Sequence, residues 1–310
     1  LRFANSTGVN NLEFVNYDNG GNPDTIKVES LSKDDTLSIS NAIESNADNN
    51  FTYDFRDADG NDDAATVNIN GTVDTTLGTV TVNGIESATF ASTGSNLANY
   101  TAAAPDATTV NIDSTPNGGG TVSVNAASAT TLNVDAAGSL TINDTGGAVG
   151  AVRTLNIDSQ SSSGTVTAEG LTLVGTGSAD STTATLTGDG SVKLSFDGDY
   201  ASADTITVNA NALGGNVEYT TDGSATEAFT GSSSSDVVTL TSAAGDNDSF
   251  DFGEGGADKV AISVTESSTV ANIVYDGAGT DPTFTGVDIA EITVVDDDTS
   301  NDGSLEGNTT

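Results

Sequence analysis

The sequence predicts an all-β chain, an irregular parallel β-solenoid with β-sandwich-like or β-roll flanking segments. Two observations carry that prediction. One phrase recurs: an apolar residue, a small polar one, a second apolar one, then Asp or Asn. It reads Val110-Asn111-Ile112-Asp113, Val122-Ser123-Val124-Asn125, Leu132-Asn133-Val134-Asp135, Leu140-Thr141-Ile142-Asn143, Leu155-Asn156-Ile157-Asp158 and Ile206-Thr207-Val208-Asn209. Side chains alternate faces along a strand, so both apolar residues point inward together. The second observation is that Asp or Asn closes each copy, as stacked rungs require. One copy buries too little to be stable, whereas stacked copies share a continuous core. The uneven spacing of the copies excludes a strict hexapeptide or nonapeptide helix. A Greek-key sandwich is the rival reading, because short strands separated by turn signals also suit it.

Three segments follow from the pattern. Residues 1–78 read as a small β-rich segment, either cadherin-like or the first coils. Strands are expected there at Leu12–Val15, Thr25–Glu29, Thr36–Ser40, Phe51–Phe55 and Ala65–Asn70. Ser40–Asn50 reads as a short helix or a loop. Residues 79–230 are the solenoid proper, with turns at Gly118-Gly119-Gly120, Gly146-Gly147 and Ser161-Ser162-Ser163-Gly164. Tyr100–Asp106, which is rich in Ala, reads as a loop stepping off the coil. Residues 231–310 form an acidic, glycine-rich segment with a flexible tail. A further unit recurs as Val9-Asn10-Asn11-Leu12-Glu13-Phe14, Val82-Asn83-Gly84-Ile85-Glu86-Ser87 and Gly286-Val287-Asp288-Ile289-Ala290-Glu291-Ile292, and reads as strand plus turn.

Charge narrows the function classes. Seven basic residues face 45 acidic ones, for a net charge of −38, and there is no histidine. A compact chain of that charge repels itself. Ca2+ is the expected counter-ion, since carboxylates and backbone carbonyls are its preferred ligands; an acidic, salt-adapted surface is the alternative. No basic patch exists to meet phosphates, which excludes nucleic acid as a partner. Cysteine is absent, so thiolate chemistry and disulfides are excluded. No apolar run approaches a membrane span, so membrane insertion is not expected. The absence of Met, even at residue 1, leads to the expectation that the chain is processed or cut from something larger.

Candidate metal ligands fall in two acidic turns. Asp57, Asp59, Asn61 and Asp62 surround Gly60, bringing several oxygens onto one loop; a calcium loop and a solvated turn are both consistent with it. The second is Gly253-Glu254-Gly255-Gly256-Ala257-Asp258-Lys259-Val260. It follows the G-G-x-G-x-D-x-U-x calcium β-roll repeat, with Glu254 replacing the second Gly. There the candidates are Gly253, Gly255 and Asp258, joined by Asp236, Asp246 and Asp248 from two looser copies upstream; a plain acidic turn is the alternative. The strand-end residues Asp113, Asn125, Asp135, Asn143, Asp158 and Asn209 are expected to stack in one column, as an ion ladder or as turn hydrogen bonds. Catalysis has little support: carboxylate pairs such as Asp197 and Asp199 are too common here to single one out.

On the residues Asp236-Val237-Val238-Thr239, Gly245–Phe252 and Gly253–Val260, the chain resembles bacterial S-layer proteins and secreted proteins with RTX-type calcium-binding β-roll repeats. The stretch from Phe51 to Ile69 is also similar to the closing strands of cadherin-like modules in secreted adhesins. The resemblance implies export to the bacterial cell surface, a structural, non-enzymatic role, and calcium-dependent self-assembly into an extracellular array. Cell-surface polysaccharide is a second candidate partner. The alternative is an adhesin or fibre segment that binds glycans or a host surface.

Overall fold

A computed structural model describes Arg2 and residues 11–15, 25–32, 36–40, 49–55, 63–71, 76–94, 99–115, 120–145, 149–173, 180–197, 200, 203–241, 247–266 and 282–296. Every regular element among them is a strand. The first sheet holds β1 (Asn11–Val15), β3 (Thr36–Ser40), β5 (Ala64–Gly71), β7 (Ser87–Gly94), β9 (Thr109–Ser114), β11 (Thr131–Ala136), β13 (Thr154–Ser159), β15 (Ser181–Gly188), β17 (Thr205–Leu213), β19 (Thr226–Thr230), β21 (Ser249–Asp251) and β23 (Thr283–Thr285). The second holds β2 (Thr25–Leu31), β4 (Asn50–Phe55), β6 (Thr76–Asn83), β8 (Asn99–Ala103), β10 (Thr121–Asn125), β12 (Leu140–Asp144), β14 (Thr165–Leu171), β16 (Ser191–Phe196), β18 (Val217–Thr220), β20 (Val237–Leu240), β22 (Lys259–Glu266) and β24 (Ile289–Asp296).

Successive strands therefore alternate between two sheets, and each pairs in parallel with the strand two places along. This is a parallel β-solenoid, and its uniformly parallel pairing disposes of the Greek-key alternative, which needs antiparallel neighbours. Two strands make one rung, so the repeat is longer than the spacing of the sequence phrase. Equivalent residues lie 22 apart from β9 to β11 and 23 apart from β11 to β13. Excursions lengthen later rungs, as in the 34-residue step from Ser249 to Thr283.

The alternating phrase works as expected. In β9 the apolar Val110 and Ile112 are buried while Thr109, Asn111 and Asp113 are half-buried. Inward residues of both sheets join one continuous core. Aromatic pairs bridge the sheets: Phe90 meets Tyr100 with ring centroids 6.4 Å apart, and Tyr219 stacks on Phe229 at 5.9 Å. Most buried side chains are Val, Ile, Leu and Ala, which fits the low aromatic content. β-branched residues suit such pleated, half-buried surfaces.

The strands expected in residues 1–78 appear as β1 to β5, in the same two sheets as the rest. Ser40 closes β3 and Asn50 opens β4, while 41–48 lie outside the described residues. One expectation is corrected. Tyr100–Ala103 does not step off the coil; it forms most of β8, with Tyr100 and Ala102 buried. Both side chains join the core, Tyr100 packing against Phe90 of the first sheet. Among the described residues no helix is long and apolar enough to cross a membrane.

Candidate functional site

Several of the described acidic residues sit at the corners between the sheets. There the backbone leaves one ladder before entering the next, so N–H groups lose their strand partners and need others. Carboxylates supply them, mostly from the following rung. Glu86 Oε2 accepts from Asp63 N at 3.0 Å, Asp106 Oδ2 from Gly84 N at 2.9 Å, and Asp204 Oδ1 from Asp180 N at 2.8 Å. Asp248 Oδ1 accepts from Glu227 N at 2.8 Å. On the opposite corner three acids form a chain. Asp236 Oδ1 accepts from Val217 N at 2.8 Å, Asp258 Oδ1 from Asp236 N at 2.8 Å, and Asp288 Oδ2 from Asp258 N at 3.1 Å. Hydrogen bonds with an ionised acceptor are shorter and stronger than neutral ones, which suits acids to this position.

Three of the expected ligands are part of this system. Asp236 is fully buried, and both of its oxygens are engaged: Ser232 N donates to Oδ2 at 2.6 Å and Ser232 Oγ to Oδ1 at 2.9 Å. Burial still pushes its carboxyl above the usual range. Asp258 and Asp248 are 1% and 4% exposed. Asp248 sits on the corner that leads into the first sheet, Asp236 and Asp258 on the corner that leads into the second. The three do not converge into one ion shell, and among the described residues no three His, Cys, Asp or Glu side chains gather where they could hold a metal. Asp57, Asp59, Asn61, Asp62 and Asp246 lie outside the described residues.

Gly253 and Gly255 serve close stacking. Gly255 has φ +122°, and a Cβ there would lie 2.5 Å from Ser233 O on the rung below; a Cβ on Gly253, at φ +78°, would meet Ser232 O at 3.2 Å. The recurring strand-plus-turn unit resolves in the same terms. Gly84 and Gly286 both take left-handed φ, near 76° and 75°. Ile85 or Val287 then plugs the core, and Glu86 or Asp288 reaches back to the preceding rung.

The expected single column of strand-end residues is corrected into parts. Asp113, Asp135 and Asp158 do stand in register on β9, β11 and β13. Asn125 and Asn143 belong to the other sheet and are out of register with each other, Asn143 pairing with Ser123 and Asn125 with Ala103. Asn209 pairs with Thr185 and Thr230. Adjacent rungs lie about 4.8 Å apart, so the three carboxylates repel; burial first, then the Asp113 and Asp158 charges, raise the Asp135 carboxyl above its ordinary value. Beside this column runs an amide ladder. Asn133 Nδ2 donates to Asn111 Oδ1 at 2.7 Å, Asn156 Nδ2 to Asn133 Oδ1 at 2.8 Å, and Asn111 Nδ2 to Thr89 Oγ1 at 3.1 Å.

Two features carried no clear sequence signal. Glu227 points into the core from β19 and is 1% exposed. Tyr219 OH donates to its Oε2 at 2.8 Å, and Asp222 N and Gly223 N donate to Oε1 at 2.8 and 3.1 Å. Burial pushes this carboxyl up to about 7, with the nearby Asp248 charge adding to the shift and the donors opposing it. An acid in a strand normally marks the outer face, but period-2 alternation puts Glu227 on the same face as the buried Phe229, and its register partner Ile206 is buried too. The second feature is a groove of about 470 Å³ along the second sheet, lined by Asn99, Thr121, Thr141, Thr167 and Lys193 among others.

The architecture places the protein among parallel β-solenoids. No family model, no curated protein and no solved structure matches the chain.

Proposed function

We propose that this is a structural, non-enzymatic protein of the bacterial cell surface, which self-assembles with calcium into an S-layer or similar extracellular array. One observation carries the reading: a rung-by-rung solenoid sets like charges in register on its surface, as at Asp113, Asp135 and Asp158, in a chain of net charge −38. Association of such surfaces is opposed until cations intervene. Calcium fits a donor set made of oxygen alone. Asp57, Asp59, Asn61, Asp62 and Asp246 are the proposed ligands, since Asp236, Asp248 and Asp258 have oxygens committed to backbone N–H groups. The sequence resemblance to S-layer and RTX-type repeats supports the same role.

The test is light scattering and electron microscopy during a calcium titration followed by excess chelator. Ordered assemblies should appear with calcium and dissolve on chelation; assemblies indifferent to chelator refute the reading. The groove beside Lys193 favours a second reading, a glycan-binding adhesin or fibre segment, because its hydroxyl and amide lining suits sugar hydroxyls. On that reading the chain stays monomeric in calcium and binds cell-surface polysaccharide, which Thr141→Val weakens in a pull-down.

A further inference from the structure

We propose that the groove on the second sheet binds an unbranched, neutral polysaccharide, laid along the solenoid axis with one sugar facing each strand it crosses. The proposal rests on the glycan-binding reading of that groove given above and names its ligand class and direction.

The groove is built by register. Thr121 pairs with Thr141, Thr141 with Thr167, and Thr167 with Lys193. Asn99 extends the row, its Oδ1 accepting from Thr121 N at 2.7 Å. One outward column therefore crosses β8, β10, β12, β14 and β16 in turn. Ser139 and Thr165 stand two residues before Thr141 and Thr167, on the same face, and make a second row at the corner. Ser139 Oγ there accepts from Thr165 N at 3.3 Å. Neighbouring strands lie about 4.8 Å apart, so the column runs for about 19 Å. An extended chain of hexoses advances by close to one strand spacing per sugar, so successive rings meet the same row of hydroxyls.

Those hydroxyls are available. On the outer face of the first sheet, Asn111, Asn133 and Asn156 satisfy one another in the amide ladder. In the groove, the side chains of Thr121, Thr141 and Thr167 are half-buried and make no hydrogen bond to protein among the described residues. Each hydroxyl offers one donor and two acceptor positions, which is the complement of a sugar hydroxyl. Threonine is stiff at χ1 and sits here on paired strands, so little ordering is left to the ligand's arrival.

Charge selects the ligand class. Lys193 is the cation of the lining, and its Nζ lies 2.6 Å from Glu218 Oε2. Glu169 acts on the same ammonium. The groove therefore has no uncompensated positive charge to meet a uronate, sulfate or phosphate, and the chain as a whole carries −38. A neutral chain meets no such repulsion. No aromatic ring lines the groove, so binding accumulates from many hydroxyl contacts along the row instead of one stacked sugar.

The test is titration calorimetry with neutral gluco-, galacto- and manno-oligosaccharides, from the dimer to the heptamer, against oligogalacturonates of equal length. Chelator is present throughout, so that calcium cannot bridge acid to acid. Neutral oligomers of at least one of these sugars should bind, with affinity rising to about the pentamer, one sugar for each strand of the column, and then levelling. Thr121→Val and Thr167→Val keep the side-chain shape and remove the hydroxyl; each should weaken pentamer binding about fivefold. Thr131→Val, on the outer face of the first sheet, should leave binding unchanged, and circular dichroism checks the fold of all three. Oligogalacturonates bound as tightly as neutral oligomers overturn the ligand class and leave the glycan-binding reading standing. Neutral binding that ignores both groove substitutions, or that stops rising at the dimer, overturns the extended site. An absence of binding by every oligomer overturns the proposal and the glycan-binding reading together.

Discussion

Replacing Glu227 by Gln removes a carboxyl that the fold holds in its core at an energetic penalty that depends on pH. Burial raises its pKa from 4.5 to about 7. The folded state therefore binds the proton more tightly than the unfolded one. The stability this confers is complete below pH 4.5 and is lost as pH rises through about 7. A shift of that size corresponds to roughly 3 kcal/mol between the two limits. Gln keeps the size and can still accept from Asp222 N and Gly223 N while meeting Tyr219 OH, so the neutral contacts survive. Urea unfolding followed by far-ultraviolet circular dichroism, from about pH 5 to 8.5, provides the measurement. Other carboxylates also titrate, so the informative quantity is the variant's stability minus the parent's at each pH. That difference should climb by about 2–3 kcal/mol toward high pH. A difference that stays flat, or that falls as pH rises, refutes a buried, proton-binding Glu227.

Other substitutions probe the corners and the outer face. Gly255→Ala forces a Cβ to within 2.5 Å of Ser233 O at φ +122° and should cost at least about 2 kcal/mol, read as a lower thermal midpoint. Asp258→Ala leaves Asp236 N without its acceptor and should cost about 1–3 kcal/mol in urea unfolding, whereas Asp258→Asn, which keeps an oxygen there, should cost less. Asn133→Ala breaks the amide ladder on both sides; about 1–2 kcal/mol should be lost, and faster hydrogen exchange should appear in β11 and its neighbours. Equal stability of parent and variant in any of these would remove the role assigned to that residue.

Much of the fold was legible because it is written locally. Val110 and Ile112 alternate with Asn111 and Asp113, and no helix accommodates that period. The first five strands were legible for the same reason. The corner unit at Gly84-Ile85-Glu86 was visible as a recurrence, but its meaning was not, since Glu86 acts on a backbone N–H 23 positions away. Asp236, Asp248 and Asp258 were read as ion ligands because an Asp in a glycine-rich turn has the same local signature whether it faces a cation or a neighbouring N–H. The column running from Asp113 to Asn209 failed as one unit because consecutive copies of the phrase enter different sheets, which leaves Asn125 and Asp135 on separate surfaces.

By itself the sequence determined that this chain makes short strands with one apolar face, that those strands stack, and that acids sit at the turns, because side-chain alternation and turn chemistry act over a few residues. Only the tertiary structure decided that every second strand pairs and that Glu227 faces inward. Those outcomes depend on register between rungs some twenty or more residues apart, where a one-residue slip reverses every side chain and no local pattern records the choice.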